Sequence, residues 1–201
     1  MRCPSILILF LICNSVLLAQ TEGGVEQYHY LGLGEANTIV PVVHMQSKKG
    51  LYGEVRYNYD EKNTFSVLFG KSFSRQQKIK WSVTPMVGVA MGNLNGFTAA
   101  VNIAAERERF FVNSQSQATV STTSRHSNFL FNWCEFGYQP LNWLYAGVSL
   151  QHTQVSREKA LWEPGILIGI IYKKLSFPIY IFNTFSTNRF FILGVNWEWK
   201  R

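Results

Sequence analysis

The groups with which this chain could do chemistry are few. The sharpest is Arg125-His126-Ser127-Asn128. A histidine base and a serine nucleophile on one strand must be two residues apart to share a face. His126 and Ser127 are adjacent, so a strand would point them to opposite faces, and the segment reads as a polar loop edge. Glu54 and Arg56 do have the spacing of two. On a strand they form an ion pair that either braces an interior or lines a passage and sets its charge preference. Asn58 continues their row, and Glu106 joins it from another strand. His29, His44, His126 and His152 are scattered without metal-ligand spacing. No glycine-rich phosphate loop is present, and no cofactor is expected. Gly32, Gly34, Gly169 and Gly194 read as bends or close contacts.

The elements that would position these residues are announced by the first twenty. MRCPSILILFLICNSVLLAQ has a basic start at Arg2, an apolar run from Ile6 to Leu18 and a small residue, Ala19. Those are the parts of a secretory signal peptide, and its run is shorter than the ~20 residues of a spanning helix. Cleavage after Ala19 makes residues 1–19 a signal peptide and 20–201 one domain. Cys3 and Cys13 leave with it, so Cys134 stands alone and no intramolecular disulfide is possible. One of the 19 basic residues also leaves, against 12 acidic ones. The modest positive surplus, in an exported chain, excludes nucleic acid as the expected partner.

From Glu26 to Trp199 one pattern recurs. About ten residues alternate apolar with polar or small, a short polar turn follows, and the alternation resumes. A period of two is the strand signal. It predicts about twelve strands: 27–34, 38–46, 51–59, 64–73, 79–92, 97–106, 109–121, 126–138, 143–154, 163–173, 176–185 and 188–199. If the first does not join, the alternative is ten. Asn95-Gly96 is the strongest hairpin signal.

The two faces separate the architectures. In LYGEVRYNYD, Val55, Tyr57 and Tyr59 oppose Glu54, Arg56 and Asn58. In RFFILGVNWEWK, Phe191, Leu193, Val195, Trp197 and Trp199 oppose Ile192, Gly194, Asn196 and Glu198. The second face holds mostly small uncharged groups, while lysine and arginine collect in turns: Lys48 and Lys49, Arg75 with Lys78 and Lys80, Arg107 and Arg109, Lys173 and Lys174, Lys200 and Arg201. Small residues suit the inside of a narrow barrel. Aromatics at strand ends (Tyr28, Tyr30, Tyr57, Tyr59, Trp81, Trp133, Trp143, Trp197, Trp199) suit the interfacial girdles of a bilayer barrel. The expected fold is therefore all-β, an antiparallel up-and-down transmembrane β-barrel, with every basic pair on the periplasmic side. Tyr57, Tyr59, Trp81, Trp197 and Trp199 are its expected interfacial anchors.

The chain resembles bacterial outer-membrane β-barrel proteins, in particular barrels of Bacteroidetes-type bacteria, through LYGEVRYNY, the Leu18-Ala19-Gln20 junction and Gly194-Val195-Asn196-Trp197-Glu198-Trp199. The last fits the C-terminal insertion signal of that class, with Gly194 followed by aromatics three and five positions on; Lys200 and Arg201 extend past it. The resemblance implies the outer membrane of a Gram-negative bacterium. It implies outer-membrane lipid and the barrel-assembly machinery as partners, with another envelope protein as a further possibility. The functional expectation is a non-enzymatic barrel, either a small porin-like channel or a structural or accessory envelope protein. The alternatives are an outer-membrane lipid or lipopolysaccharide hydrolase and a soluble periplasmic binding barrel.

Overall fold

A computed structural model describes residues 21–32, 37–124, 127–156 and 158–200. The signal peptide and the Arg125-His126 dipeptide lie outside the described residues. The first six strands are β1 (Thr21–Leu31), β2 (Thr38–Ser47), β3 (Leu51–Tyr57), β4 (Thr64–Lys71), β5 (Phe73–Gln76) and β6 (Lys80–Gly92). Then come β7 (Gly96–Arg107), β8 (Phe110–Ser121), β9 (Phe129–Leu141) and β10 (Leu144–Val155). The chain finishes with β11 (Leu161–Tyr172), β12 (Leu175–Phe182) and β13 (Phe190–Lys200).

These strands close into a twelve-membered antiparallel ring. β1 pairs with β13 from Glu22↔Lys200 to Leu31↔Phe191, and β4 pairs with β6. The thirteenth, β5, is no separate wall. Gly70↔Met86 on β4 and Phe73↔Val83 on β5 share one register along β6, so β5 prolongs β4 past the end of β3. The break is at Ser72, whose amide turns away to the Gly50 carbonyl at 2.7 Å. Closure leaves the twelve-membered ring without an open edge, which a hydrocarbon environment demands; β5, beyond the end of β3, is paired on one side by β6.

β1 begins six residues before the alternation predicts and ends three earlier. The missed stretch is Glu22-Gly23-Gly24, which carries no apolar alternation. Its glycines make room for neighbours instead. A side chain on Gly23 would strike the Trp199 ring at 2.7 Å, and one on Gly24 the His44 imidazole at 2.6 Å.

The barrel has two unlike ends. At the turn end the connections are two or three residues: 48–50, 77–79, 108–109, 142–143 and 173–174. Lys48, Lys49, Lys78, Arg109, Lys173 and Lys174 all sit in them. The loop end carries the longer connections, among them 58–63 and 183–189.

Outside, the wall is apolar. Phe69, Val87 and Phe97 expose 66%, 68% and 67% of their surface, and Ile166, Ile168 and Ile170 line one strand. A water-soluble protein rarely shows so continuous an apolar belt, whereas lipid requires one. Val87 is central on the outside, paired between Phe69 and Ala99. Val87→Arg is expected to lower folding stability in lipid vesicles by about 2–4 kcal/mol, the cost of a cation at mid-bilayer. Urea titration in vesicles measures it, and an unchanged midpoint would mean that the wall faces water.

Inside, the lumen is not the small-residue surface that the alternation suggests. Tyr28, Val40, Val42, Phe131, Trp133, Leu167, Tyr180, Phe182, Phe190 and Ile192 form one buried cluster across it. Tyr28 and Trp133 therefore belong to the interior, not to an interfacial girdle, and Tyr30 packs against the same cluster. The rings fit because glycines stand opposite them on the neighbouring strand: Phe111↔Gly137, Tyr145↔Gly169 and Phe182↔Gly165. Each ring lies over its glycine, where a Cβ would collide with it.

Candidate functional site

The lumen is built from two arrangements that meet across the barrel. The first starts on β3. Strand pleating sends Tyr52, Glu54 and Arg56 inward together. Glu54 and Arg56 are only 4% and 2% exposed. Arg56 Nε donates to Glu54, and Arg56 Nη1 reaches across to Gln117 Oε1 on β8 at 2.6 Å. Glu54 Oε2 also accepts from the Tyr52 hydroxyl at 2.7 Å and from Asn102 Nδ2 at 3.4 Å. A buried ion pair is tolerable only when its remaining lone pairs and protons are matched, and here they are.

The loop between β3 and β4 then folds over this pair. Asn58 and Asn63 both take left-handed backbone geometry, at φ 57° and 56°. Asn58 Nδ2 donates to the Ile39 carbonyl and Asn58 Oδ1 accepts from the Asn63 amide, so the loop is tied inward. Asp60 is thereby buried and receives Ser66 Oγ and Gln117 Nε2. Burial pushes the Asp60 carboxyl above the usual range, while the Ser66 hydrogen bond and the Arg56 charge act against that. The Tyr59 ring lies 4.3 Å from the Arg56 guanidinium carbon, and its hydroxyl donates to Gln115 Oε1 at 2.7 Å. Together these contacts make a latch from β3 and its loop to β8.

The second arrangement is the aromatic layer. Trp133 sits between Tyr28 and Tyr180, at 5.4 and 5.0 Å between ring centroids. Its indole N–H donates to Ser149 Oγ at 2.7 Å. Phe182 and Phe190 stack at 5.0 Å, and Tyr59 meets Phe131 edge-on at 5.4 Å, which joins latch to layer. Leu167, Phe182 and Ile192 at this level are 0% exposed.

Below it a cavity of about 970 Å³ opens toward the turn end. Its walls carry Glu26, His44, Glu135, Asn196 and Glu198, with Tyr28, Trp133 and Tyr180 among its lining. Tyr28 donates to Glu26 at 2.8 Å and Tyr180 to Glu135 at 2.7 Å. At the mouth Lys80 pairs with Glu106 at 3.1 Å and Lys200 with Glu22.

The residues singled out from sequence fall in several places. Glu54 and Arg56 meet inside. Asn58 is a half-buried loop tie, and Glu106 sits at the cavity mouth, half exposed. Tyr57, Trp81 and Trp197 face outward, and the Trp199 ring packs against Trp197, tilted, with centroids 5.0 Å apart. Tyr59 stands over the lumen instead of at a membrane interface. Gly194 lies under the Pro178 and Tyr28 rings, opposite Tyr28 in the closing pair. Sequence reasoning missed Glu26, Asp60, Gln117, Glu135 and Tyr180. The signal available for Glu135 was its apolar flanks, Cys134 and Phe136, an unusual setting for a carboxylate.

Several serines and histidines among the described residues are engaged elsewhere. Ser116 Oγ accepts from Asn132 Nδ2, Cys134 bonds Ser114 and Asn132, and Ser149 serves Trp133. His44 faces Glu26 and His152 stacks on Trp162. Among the described residues no cluster of metal-binding side chains occurs.

Ring closure, strand number and a lumen shaped by inward side chains define a barrel of the small-porin fold. Comparison with solved structures gives the same fold. The KdgM porin, solved in complex with disordered oligogalacturonate, matches with a TM-score of 0.64 at 12% identity, over 88% of this chain and 99% of that one. The NanC porin matches with a TM-score of 0.59 at 8% identity, over 87% and 98%. At these identities the likeness is one of fold. No protein-family model and no curated protein matches the chain.

Proposed function

We infer that this chain is an integral outer-membrane barrel of the small-porin type, held in a closed state. Its turn end faces the periplasm and its loop end the exterior. In this reading residues 1–19 direct export, and Gly194, Trp197 and Trp199 serve the barrel-assembly machinery as an insertion signal, as in Bacteroidetes-type barrels. The observation that carries the reading is the lumen. A wide vestibule runs in from the turn end and stops at the latched aromatic layer. A barrel serving only as a scaffold has no need of a cavity, and one that conducts continuously has no room for the layer. Short loops also leave little surface for an external receptor. The KdgM porin is solved in complex with an oligogalacturonate, which is a polyanion. The inner wall of the cavity here presents carboxylates, with Lys80, Arg109, Lys173, Lys174 and Lys200 nearer the turn end, so a solute of that charge does not suit its inner part.

The second reading, a structural or accessory envelope barrel, is favoured by the same packed layer if it never opens. Planar-bilayer recording separates the two. The wild type is expected to be silent or to open rarely. Arg56→Ala/Phe131→Ala, which removes the latch and the ring on which it rests, is expected to give discrete conductance steps. A double variant that stays silent while keeping the heat-shifted gel mobility of a folded barrel would favour the accessory reading.

A further inference from the structure

The vestibule is lined by both signs of charge: Lys80, Arg109, Lys173, Lys174 and Lys200 stand with Glu22, Glu106 and Glu108 about its turn-end mouth, and carboxylates without such neighbours lie deeper. Glu26, Glu135 and Glu198 all line it. The ion pairs among the described residues join Arg56 to Glu54, Lys80 to Glu106, Lys200 to Glu22, and His44 to Glu26. Glu135 and Glu198 thus have no cationic partner there, and Glu26 has only an imidazole 3.6 Å away. A carboxylate in a narrow, low-dielectric tube is poorly solvated, and a cation that enters the tube relieves it.

The inner end of the cavity adds a second kind of attraction. Tyr28 is bonded to Glu26 and Tyr180 to Glu135, and Trp133 stands between the two rings. A tyrosine–carboxylate pair therefore flanks the indole on both sides. Aromatic faces attract organic cations, tryptophan most strongly, and more so where water is scarce. Asn102 Oδ1 and Asn196 Oδ1, on residues of the cavity lining, are buried and accept no hydrogen bond in the protein. Metal coordination is not the fit, since among the described residues no group of carboxylates and imidazoles converges closely enough.

We propose that the vestibule binds a small organic cation, an amine- or guanidine-bearing solute, with Glu26 and Glu135 as charge partners and Trp133 as the ring against which it rests. This names the solute class of the channel and rests on that reading of the barrel. The same carboxylates disfavour anions of equal size.

Calorimetric titration of spermidine into the folded wild-type barrel in zwitterionic detergent tests it. One-site saturable binding is expected, weakened at least tenfold in Glu26→Gln/Glu135→Gln and several-fold in Trp133→Leu, which keeps the charge. Glu61→Gln, at the opposite end of the barrel, should bind as the wild type does. Trigalacturonate should give no binding to the wild type. The proposal is overturned if the wild type gives no saturable heat, if trigalacturonate binds as tightly as spermidine, or if Glu61→Gln weakens binding as much as the vestibule double variant. Binding in micelles needs no ion flow, so the two readings can fail separately. A barrel that binds spermidine but whose unlatched variant never conducts removes the channel reading alone. One that conducts without cation preference and binds no spermidine removes this proposal alone.

Discussion

Arg56→Met is expected to lower the stability of the folded barrel by about 3–5 kcal/mol, the usual cost of leaving one member of a buried ion pair alone. Three groups depend on that guanidinium. Glu54 loses its ion pair, Gln117 Oε1 loses its donor, and Tyr59 loses the cation over its ring. Glu54 would keep only the Tyr52 and Asn102 hydrogen bonds, too few for a carboxylate that is 4% exposed. The double variant Arg56→Met/Glu54→Gln should recover most of the loss, because no uncompensated charge then remains at that point. Urea midpoints in lipid vesicles read both effects. If Arg56→Met costs less than about 1 kcal/mol, as exposed pairs do, the lumen is wet at that level and the latch is not closed.

Phe182→Ala should have an effect of similar size for a different reason. Phe182 and Phe190 are 0% and 1% exposed and stack at 5.0 Å, and Trp133 meets Phe182 at 6.2 Å. Truncating a ring packed on several sides removes its transfer free energy and leaves a cavity, about 3–5 kcal/mol in all. Gly165 stands opposite Phe182, so no side chain on the facing strand can move in to fill the space. The gap would join the vestibule below. The variant should therefore lose stability and also let small ions leak through wild-type-like barrels in bilayers. A loss of stability without any leak would place the closure at the latch alone.

Much of the barrel was legible because the strand signal has a period of two and nothing interrupts it. Eleven of the predicted strands reappear within three residues and the first begins six earlier, and the Glu54/Arg56 spacing places both side chains inside by parity alone. Parity fails where both faces of a strand are mixed. On β9 the inward face carries Phe129, Phe131, Trp133 and Glu135, while the outward face carries Asn132 and Cys134. Read alone, that strand looks inside out. Only register shows that Asn132 and Cys134 satisfy one another and Ser116, and so can tolerate the apolar side. Tyr59 and Asp60 were hidden for another reason. Alternation carried through Tyr59 as though the strand continued, but the left-handed turns at Asn58 and Asn63 bring the loop back over the lumen. Cross-strand pairs of a ring over a glycine, such as Tyr145↔Gly169, need the register of two strands and have no signature in either one.

The central claim is that the lumen is open at the turn end and shut at the latched layer. Thiol accessibility tests it most directly. In a chain beginning at Gln20 with Cys134→Ser, single cysteines at Glu198 and at Leu167 would be exposed to a water-soluble maleimide in the folded barrel. Glu198 lines the mouth, and Leu167 is fully buried in the layer. The account predicts fast labelling of Glu198→Cys and protection of Leu167→Cys until the barrel is unfolded. Labelling of both at similar rates in the folded state would contradict it.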